Sequence, residues 1–354
     1  MWYPDSDWII LPRGSESCVR LRGACFTDRS SQGIPDMAVT FPKPAFAYDY
    51  HVEAQLRALR DHQVDHPDRA IPPRNAGRIL IATWNVANLG AQDRRDKDHR
   101  LIAEIMGWFD IVAVQEVNDD LSGIRSVHAH LPANYRLVFS DASGNDERMT
   151  FVYDADRVQL LEEVGEVAPA PSTYRYISLP GVEQAFDGFD RNPYVATFSA
   201  GALTISLVNV HLYFGSDSTT SRNRRSLEAY AVARWADLRR RSPHALTGDI
   251  MPLGDFNLPK CEPGDPIFEA LTGRGLYLPG HSTQVSSSIA SDSHYDQVAF
   301  FPGETQDAFE TSGVFDFDGA VFSSLWSTRG QADFLAYVRY YLSDHRPFWA
   351  ALRT

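Results

Sequence analysis

One pattern constrains this chain more than any other: short apolar runs, each closed by a carboxylate, an amide or an imidazole. Ile81-Ala82-Thr83-Trp84 ends on Asn85, and Ile111-Val112-Ala113-Val114 ends on Gln115 and Glu116. Asn209 and His211 flank Val210 at the end of the run that starts at Leu203. Asp255 and Asn257 follow Met251-Pro252-Leu253-Gly254, Tyr295 and Asp296 precede Gln297-Val298, and Asp344 and His345 follow Tyr340-Tyr341-Leu342-Ser343. Continuous apolar runs bounded by turn residues read as buried strands. A single polar residue at such an end is ordinarily a solvated strand terminus. The recurrence of one residue class at separate strand ends predicts that those ends converge on a common cleft.

Further strands are expected at Tyr135–Phe139, Met149–Tyr153, Val158–Val164, Tyr194–Phe198, Val298–Phe301 and Phe348–Leu352, separated by Gly, Asn and Asp turns. Leu101, Ile102, Ile105, Met106 and Phe109 fall at helical spacing, and Leu227, Ala231, Trp235 and Leu238 mark an amphipathic helix. A short helix is expected at Ile267–Leu271, and another near Gln331 to Tyr340 within the long stretch from Phe301 to Tyr341. Strands outnumber helices, and the helices fall between groups of strands. The expectation is an α/β (α+β) layered sandwich, with sheets face to face and helices outside. No internal repeat is present. Residues 1–78 stand apart: they are rich in Pro, Asp and Arg, with a short helix expected over Ala47–Leu59 and a linker at Ile71–Asn75. They read as an N-terminal extension of unassigned role before a catalytic domain over 79–354.

Composition narrows the class. Hydrophobic residues make up 44% and charged residues 22% of the 354 residues, which is globular rather than disordered. No run approaches the ~20 apolar residues of a membrane helix. The start, Met1-Trp2-Tyr3-Pro4-Asp5, lacks a basic stretch followed by an apolar one, so a cytoplasmic location is expected. Cys18, Cys25 and Cys261 match no zinc spacing, and their odd number fits a reducing compartment and structural roles. The net charge of −13 argues against a basic groove that grips phosphates by charge alone.

The strand-end residues carry the chemistry. Carboxylate and amide oxygens without cysteine favour a hard divalent cation, Mg²⁺, Mn²⁺ or Ca²⁺. Histidines beside carboxylates supply proton transfer near neutral pH. Together they suit attack of water on a phosphate ester.

Thr83-Trp84-Asn85-Val86, Val114-Gln115-Glu116-Val117, Asn209-Val210-His211-Leu212, Leu253-Gly254-Asp255-Phe256-Asn257, Tyr295-Asp296-Gln297 and Ser343-Asp344-His345-Arg346-Pro347 resemble, in order, the signature blocks of the endonuclease/exonuclease/phosphatase superfamily. Glu147-Arg148 and Arg191-Asn192-Pro193 match two secondary blocks. The resemblance covers Arg78 to Thr354 and is nearest to the deoxyribonuclease I-like branch, because the third block carries His211. It implies a four-layer sandwich of two packed mixed β-sheets flanked by helices.

The resemblance also implies roles. Glu116 is the principal metal ligand, with Asn85 beside it and Asp344 completing the set around Mg²⁺. Asp296 and His345 form an Asp–His pair that takes a proton from water. His211 is the second histidine, with Glu147 as its carboxylate partner. Asp255 orients the nucleophile or binds a second metal, and Asn257 hydrogen-bonds the phosphate. Arg191 either stabilises phosphate charge or pairs structurally with Asp190. Asn118 and Asn145 occupy positions where the deoxyribonuclease branch places an Arg and a Tyr in the DNA minor groove. Asn keeps hydrogen bonding there but loses the charge and the stacking face. Arg94-Arg95, Arg222 to Arg225 and Arg239 to Arg241 either track a backbone or form a solvated helix face.

The expected function is a metal-dependent, monomeric phosphodiesterase on nucleic acid, most simply a deoxyribonuclease I-like endonuclease acting on DNA. The alternatives are a phosphatase or phospholipid phosphodiesterase of inositol phosphate or sphingomyelin type on the same fold, and a non-catalytic binding module.

Overall fold

The computed structural model describes residues 40–280 and 285–354. Cys18, Cys25 and the first half of the N-terminal extension lie outside the described residues. In chain order the elements are α1 (Val52–Asp65), β1 (Arg78–Leu89), α2 (Asp96–Met106), β2 (Ile111–Asn118), α3 (Ser122–His128), β3 (Tyr135–Phe139), β4 (Glu147–Asp154) and β5 (Gln159–Glu166). They continue with β6 (Tyr194–Ala200), β7 (Leu203–His211), α4 (Thr219–Arg240), β8 (Ile250–Asp255), α5 (Pro266–Thr272) and β9 (Asp296–Val298). The chain closes with α6 (Glu304–Ala308), β10 (Phe309–Val314), α7 (Phe317–Ala320), α8 (Ser323–Arg329), α9 (Gln331–Tyr341) and β11 (Phe348–Arg353). The strands form two mixed sheets, one ordered β10-β11-β1-β2-β4-β3 and the other β5-β6-β7-β8-β9.

The continuous apolar character of β1, β2 and β7 follows from burial on both faces. Successive side chains alternate sides. Along β1, Leu80, Ala82 and Trp84 enter the core under the helices, while Ile79 and Ile81 enter the core between the sheets. Along β2 the same split separates Val112 and Val114 from Ile111 and Ala113. On β7, Ile205 and Leu207 meet the first sheet, and Val208 and Val210 lie under α4 and α5. Each of the Val, Leu and Ile side chains contributes roughly 1.5–3 kcal/mol relative to exposure. The result is four layers: helices, sheet, sheet, helices.

Four local expectations shift. The first helix begins at Val52, not Ala47. Tyr48 and Tyr50 before it are extended and anchored, with the Tyr48 ring 5.1 Å from Tyr337 and the Tyr50 ring 4.9 Å from Phe322. The strand β10 escaped sequence reading because it pairs with β11 alone and buries little beyond Ser312, Gly313 and Val314. On α4 the face against β7 and β8 is the small-residue stripe Ala229, Val232, Ala233 and Ala236, while Leu238 is exposed. Small residues let the helix axis approach the sheet closely. The expected strand Val298–Phe301 is displaced to Asp296–Val298, with Phe300 bridging to Tyr277. Before β1, Leu56, Leu59 and Ile71 are buried in the same core as α2 and β1.

Candidate active site

Strand pairing brings the polar ends together. The parallel pair β1–β2 sets Asn85 beside Gln115, the parallel pair β7–β8 sets His211 beside Asp255, and the antiparallel pair β8–β9 sets Asp255 beside Asp296. A bulge re-aims Glu116: the β2–β4 register shifts between Val114 and Val117, and Glu116 itself has a φ of 58°. Such left-handed backbone on a non-glycine residue costs about 1–3 kcal/mol and clusters at functional sites.

Asn85 joins the two sheets. Its Nδ2 donates to Glu116 Oε1 at 2.8 Å and to Asp255 Oδ2 at 3.1 Å, and its Oδ1 accepts from the Ala87 amide at 3.0 Å. Glu116 Oε2 accepts from the Asn88 amide at 2.8 Å. Asp255 Oδ1 accepts from the Asn257 amide at 2.8 Å.

Asp255 Oδ2 lies 3.8 Å from His211 Nε2 and 3.9 Å from His345 Nε2. Each ring has a second carboxylate behind it. His345 Nδ1 donates to Asp296 Oδ2 at 2.6 Å. His211 Nδ1 is 3.2 Å from Glu147 Oε2, close but out of line for a hydrogen bond. Glu147 is in turn gripped by Arg191, whose Nε and Nη2 donate to Oε2 at 2.7 Å and Oε1 at 3.3 Å.

These contacts set the charge states. Burial opposes the charged form of His345, but Asp296 and Asp255 outweigh it and hold the ring well above the ordinary histidine value. Burial and Arg191 lower His211, and Glu147 and Asp255 outweigh them. Burial pushes Glu147 up, and His211 with Arg191 overcomes it, down to about 2. Burial raises Asp296 to about 6 despite His345. Its Oδ1 has no hydrogen-bond partner among the described residues.

The donor set suits a hard cation. Burial raises the Glu116 carboxyl, His211 lowers it, and Glu147 and Asp344 add further negative charge. Asp344 is half-buried, and its backbone carbonyl accepts from the Ile289 amide at 3.0 Å. A divalent ion held by Glu116, with Asn85 and Asp344 beside it, would offset that excess. One ligand atom from each of Asp255, Asp296 and His345 also falls within 4.8 Å of the others. There the short hydrogen bond takes His345 Nδ1 and Asp296 Oδ2, which leaves Asp296 Oδ1 and His345 Nε2 as the atoms open to a ligand.

The remaining expected residues are placed as follows. Arg191 spends its guanidinium on Glu147 and on Asp190, 3.0 Å away, so its structural role is to hold Glu147. Asn257, with a φ of 50°, donates from Nδ2 to the Leu212 carbonyl at 2.7 Å. Asn118 accepts from the Asp120 amide at 3.4 Å, and the exposed Asn145 donates to Glu147 Oε1 at 3.4 Å.

The arginine clusters divide between internal partners and solvent. Arg94 is buried and donates to the carbonyls of Val86, Ala87, Tyr340 and Leu342. Arg95 pairs with Asp98, Arg224 with Asp190, Arg239 with Glu163, and Arg240 and Arg241 with Asp237. Arg222 and Arg241 stay largely exposed, and Asp237 is shared by Arg240, Arg241 and Arg274.

Supporting contacts involve residues to which the sequence assigned no role. Gln115 Nε2 donates to Asn209 Oδ1 at 2.6 Å, a buried bond between the two sheets. The Trp84 indole donates to the His345 carbonyl at 2.8 Å. Glu228 on α4 accepts from the amides of Asp190 and Tyr213, at 3.1 and 2.9 Å. Burial raises its carboxyl to about 7. Its charge, with that of Arg225, on the sheet-facing side of a helix was the legible sign.

No protein-family profile matches the chain. It is 30% identical over 200 residues to mouse deoxyribonuclease-1-like 2, covering 53% of this chain and 63% of that protein. It is 27% identical over 203 residues to a deoxyribonuclease of Thioalkalivibrio sp. (strain K90mix), covering 55% and 50%. The match therefore spans less than two thirds of each relative's length. A solved endonuclease/exonuclease/phosphatase from Bacteroides vulgatus superposes with a TM-score of 0.50 at 16% identity, covering 78% of this chain and 98% of that one.

Proposed function

We propose that this chain, which has the deoxyribonuclease I-like fold of the endonuclease/exonuclease/phosphatase superfamily, is a divalent-metal-dependent phosphodiesterase that hydrolyses nucleic acid as an endonuclease. One observation carries the reading: His211 and His345 face the same Asp255 oxygen at 3.8 and 3.9 Å, each with its own carboxylate behind it. Two proton-transfer groups facing one carboxylate suit a displacement in which one takes a proton and the other gives one. The names of the two curated relatives support nucleic acid as the substrate.

Asp296 holds the His345 ring through Nδ1, so Nε2 is the nitrogen that takes the proton from water. Asp255 stands between the rings and orients that water. His211, kept charged by Glu147, returns a proton through Nε2 to the leaving oxygen. Arg191 acts from behind by keeping Glu147 ionised. Asn257 has one amide N–H committed to Leu212 and a second for a phosphoryl oxygen. Glu116, with Asn85 and Asp344, would hold Mg²⁺, Mn²⁺ or Ca²⁺. When bound, the ion offsets charge developing on the phosphoryl oxygens.

Purified protein with supercoiled plasmid and Mg²⁺ or Mn²⁺ is expected to nick it, and EDTA or His345→Ala to abolish nicking. Intact DNA and RNA under every metal would overturn the reading. Release of inorganic phosphate from inositol phosphates, or turnover of sphingomyelin, without nicking would assign the fold to another ester.

A further inference from the structure

We infer that the turn over residues 212–216, which leaves the strand carrying His211, is a fixed shelf on which one unpaired base of the substrate strand stacks, with Phe214 as the stacking face. The inference rests on the nucleic-acid reading above and names the part of the substrate that this edge of the site engages.

An exposed aromatic side chain is by itself unremarkable. Here it is 43% exposed, three residues beyond His211, on a turn that the protein immobilises at almost every residue. The buried Arg225 donates from Nε to the Tyr213 carbonyl at 3.0 Å, and from Nη2 to the carbonyls of Phe214 and Ser216 at 2.7 and 3.3 Å. Its Nη1 donates to the Asn257 carbonyl at 2.9 Å, which ties the turn to the site. Glu228 accepts from the Tyr213 amide at 2.9 Å, and Asn257 donates to the Leu212 carbonyl at 2.7 Å. Gly215 has a φ of 63°, and a Cβ there would overlap the Tyr213 ring.

Burying a guanidinium is costly, and among the described residues no carboxylate pairs with Arg225; its donors go to carbonyls of the turn and of Asn257. Surface turns are ordinarily the mobile parts of a fold. This one is fixed, with the Arg225 guanidinium 4.7 Å from the Phe214 ring centre. A rigid aromatic face loses little entropy when a flat partner covers it.

The occupant follows from what the cleft lacks. The arginines at 94, 95, 224 and 239 are engaged by internal partners, which leaves the exposed Arg222 and Arg241 as the open cations of these clusters; at a net charge of −13 they offer little affinity for the phosphate backbone by themselves. Stacking supplies affinity without net charge and tolerates any sequence, because every base has a π-face. Within a duplex both faces of a base are covered by its neighbours. The shelf therefore selects a strand with an unpaired nucleotide beside the scissile bond.

The test uses the full chain and single-stranded oligonucleotides that are phosphorothioate except at one phosphodiester. A tetrahydrofuran abasic analogue replaces each nucleotide around that bond in turn. At one position, loss of the base is expected to lower wild-type kcat/KM about tenfold. Phe214→Ala is expected to lower it by a similar factor on the intact strand, Phe214→Trp to retain it, and the ring and base losses together to cost no more than either alone. Additive losses, or equal rates for Phe214→Ala and wild type, overturn the shelf. A 2-aminopurine oligonucleotide titrated in EDTA separates this failure from failure of the hydrolytic reading. Quenching that depends on Phe214 in a protein that cuts nothing retains the shelf and removes the nuclease. Cutting without such quenching does the reverse. Loss of vesicle co-sedimentation in Phe214→Ala, with no change toward oligonucleotides, would reassign the ring to a lipid surface and overturn the inference.

Discussion

His345 Nδ1 lies 2.6 Å from Asp296 Oδ2, and both side chains are buried. That hydrogen bond fixes the ring orientation and aims Nε2 at the space beside Asp255. Asp296→Asn keeps the shape but removes the charge. Single-turnover nicking is expected to fall by about 10²–10⁴ in Asp296→Asn and in His345→Ala, with unchanged circular dichroism. Wild-type rates in Asp296→Asn would detach the pair from catalysis.

The proposed metal dependence has a readout apart from activity. An ion that binds only the folded chain stabilises it by about 2.7 kcal/mol at a hundredfold excess over its Kd. Calorimetric melting is expected to rise with Mg²⁺ or Mn²⁺ in the wild type and to lose most of that rise in Glu116→Gln. An equal rise in the variant would move the ion away from Glu116.

Glu147 links the site to acid stability. Its carboxyl is held at about 2, below the ordinary 4.5, so its contribution is full above the ordinary value and is lost as pH falls through about 2. The difference in urea stability between wild type and Glu147→Gln is expected to shrink across that window. Arg191→Met leaves the buried carboxylate with one partner fewer and is expected to cost about 3–5 kcal/mol at neutral pH. A pH-independent difference would show that the ion pair does not set the carboxyl.

Asn209→Leu tests the cross-sheet pair. It removes the shortest of the three acceptors of the Gln115 amide, the others being Thr83 Oγ1 and the Ala113 carbonyl, and it removes donors to the carbonyls of Val114 and Thr150, each at 3.2 Å. A loss of about 1–3 kcal/mol in urea denaturation is expected, and an unchanged midpoint would count against the bond.

Gly254→Ala tests the approach of β8 to β7. Gly254 has a φ of 145°, and an added Cβ would sit within clash distance of the Val210 carbonyl. A loss of about 3 kcal/mol or more is expected from strain and displacement of the adjoining Asp255. Wild-type thermal stability would contradict that backbone geometry.

Much of this arrangement is legible along the chain because buried strands write themselves as apolar runs. The ranges of β3, β6 and β11 lie within a residue or two of the runs that mark them. The edge strand β10 is not legible, because pairing on one side needs no apolar run. The inner face of α4 is misread from its large residues, because close packing on a sheet favours Ala229, Ala233 and Ala236 over Leu238.

The sequence by itself determines which residue types close each strand, and with them the sandwich, the oxygen-rich donor set and the histidines. Only the tertiary structure decides what each charge is spent on. Arg94 and Arg225 read as groove cations or as a solvated face and are buried on carbonyls, and Arg191 faces Glu147. Strand identity follows from local alternation of side chains, which spacing records. The partners that hold Arg94, Arg225 and Arg191 in place include Leu342, Asn257 and Glu147, which are 248, 32 and 44 positions away and meet them only when the chain packs.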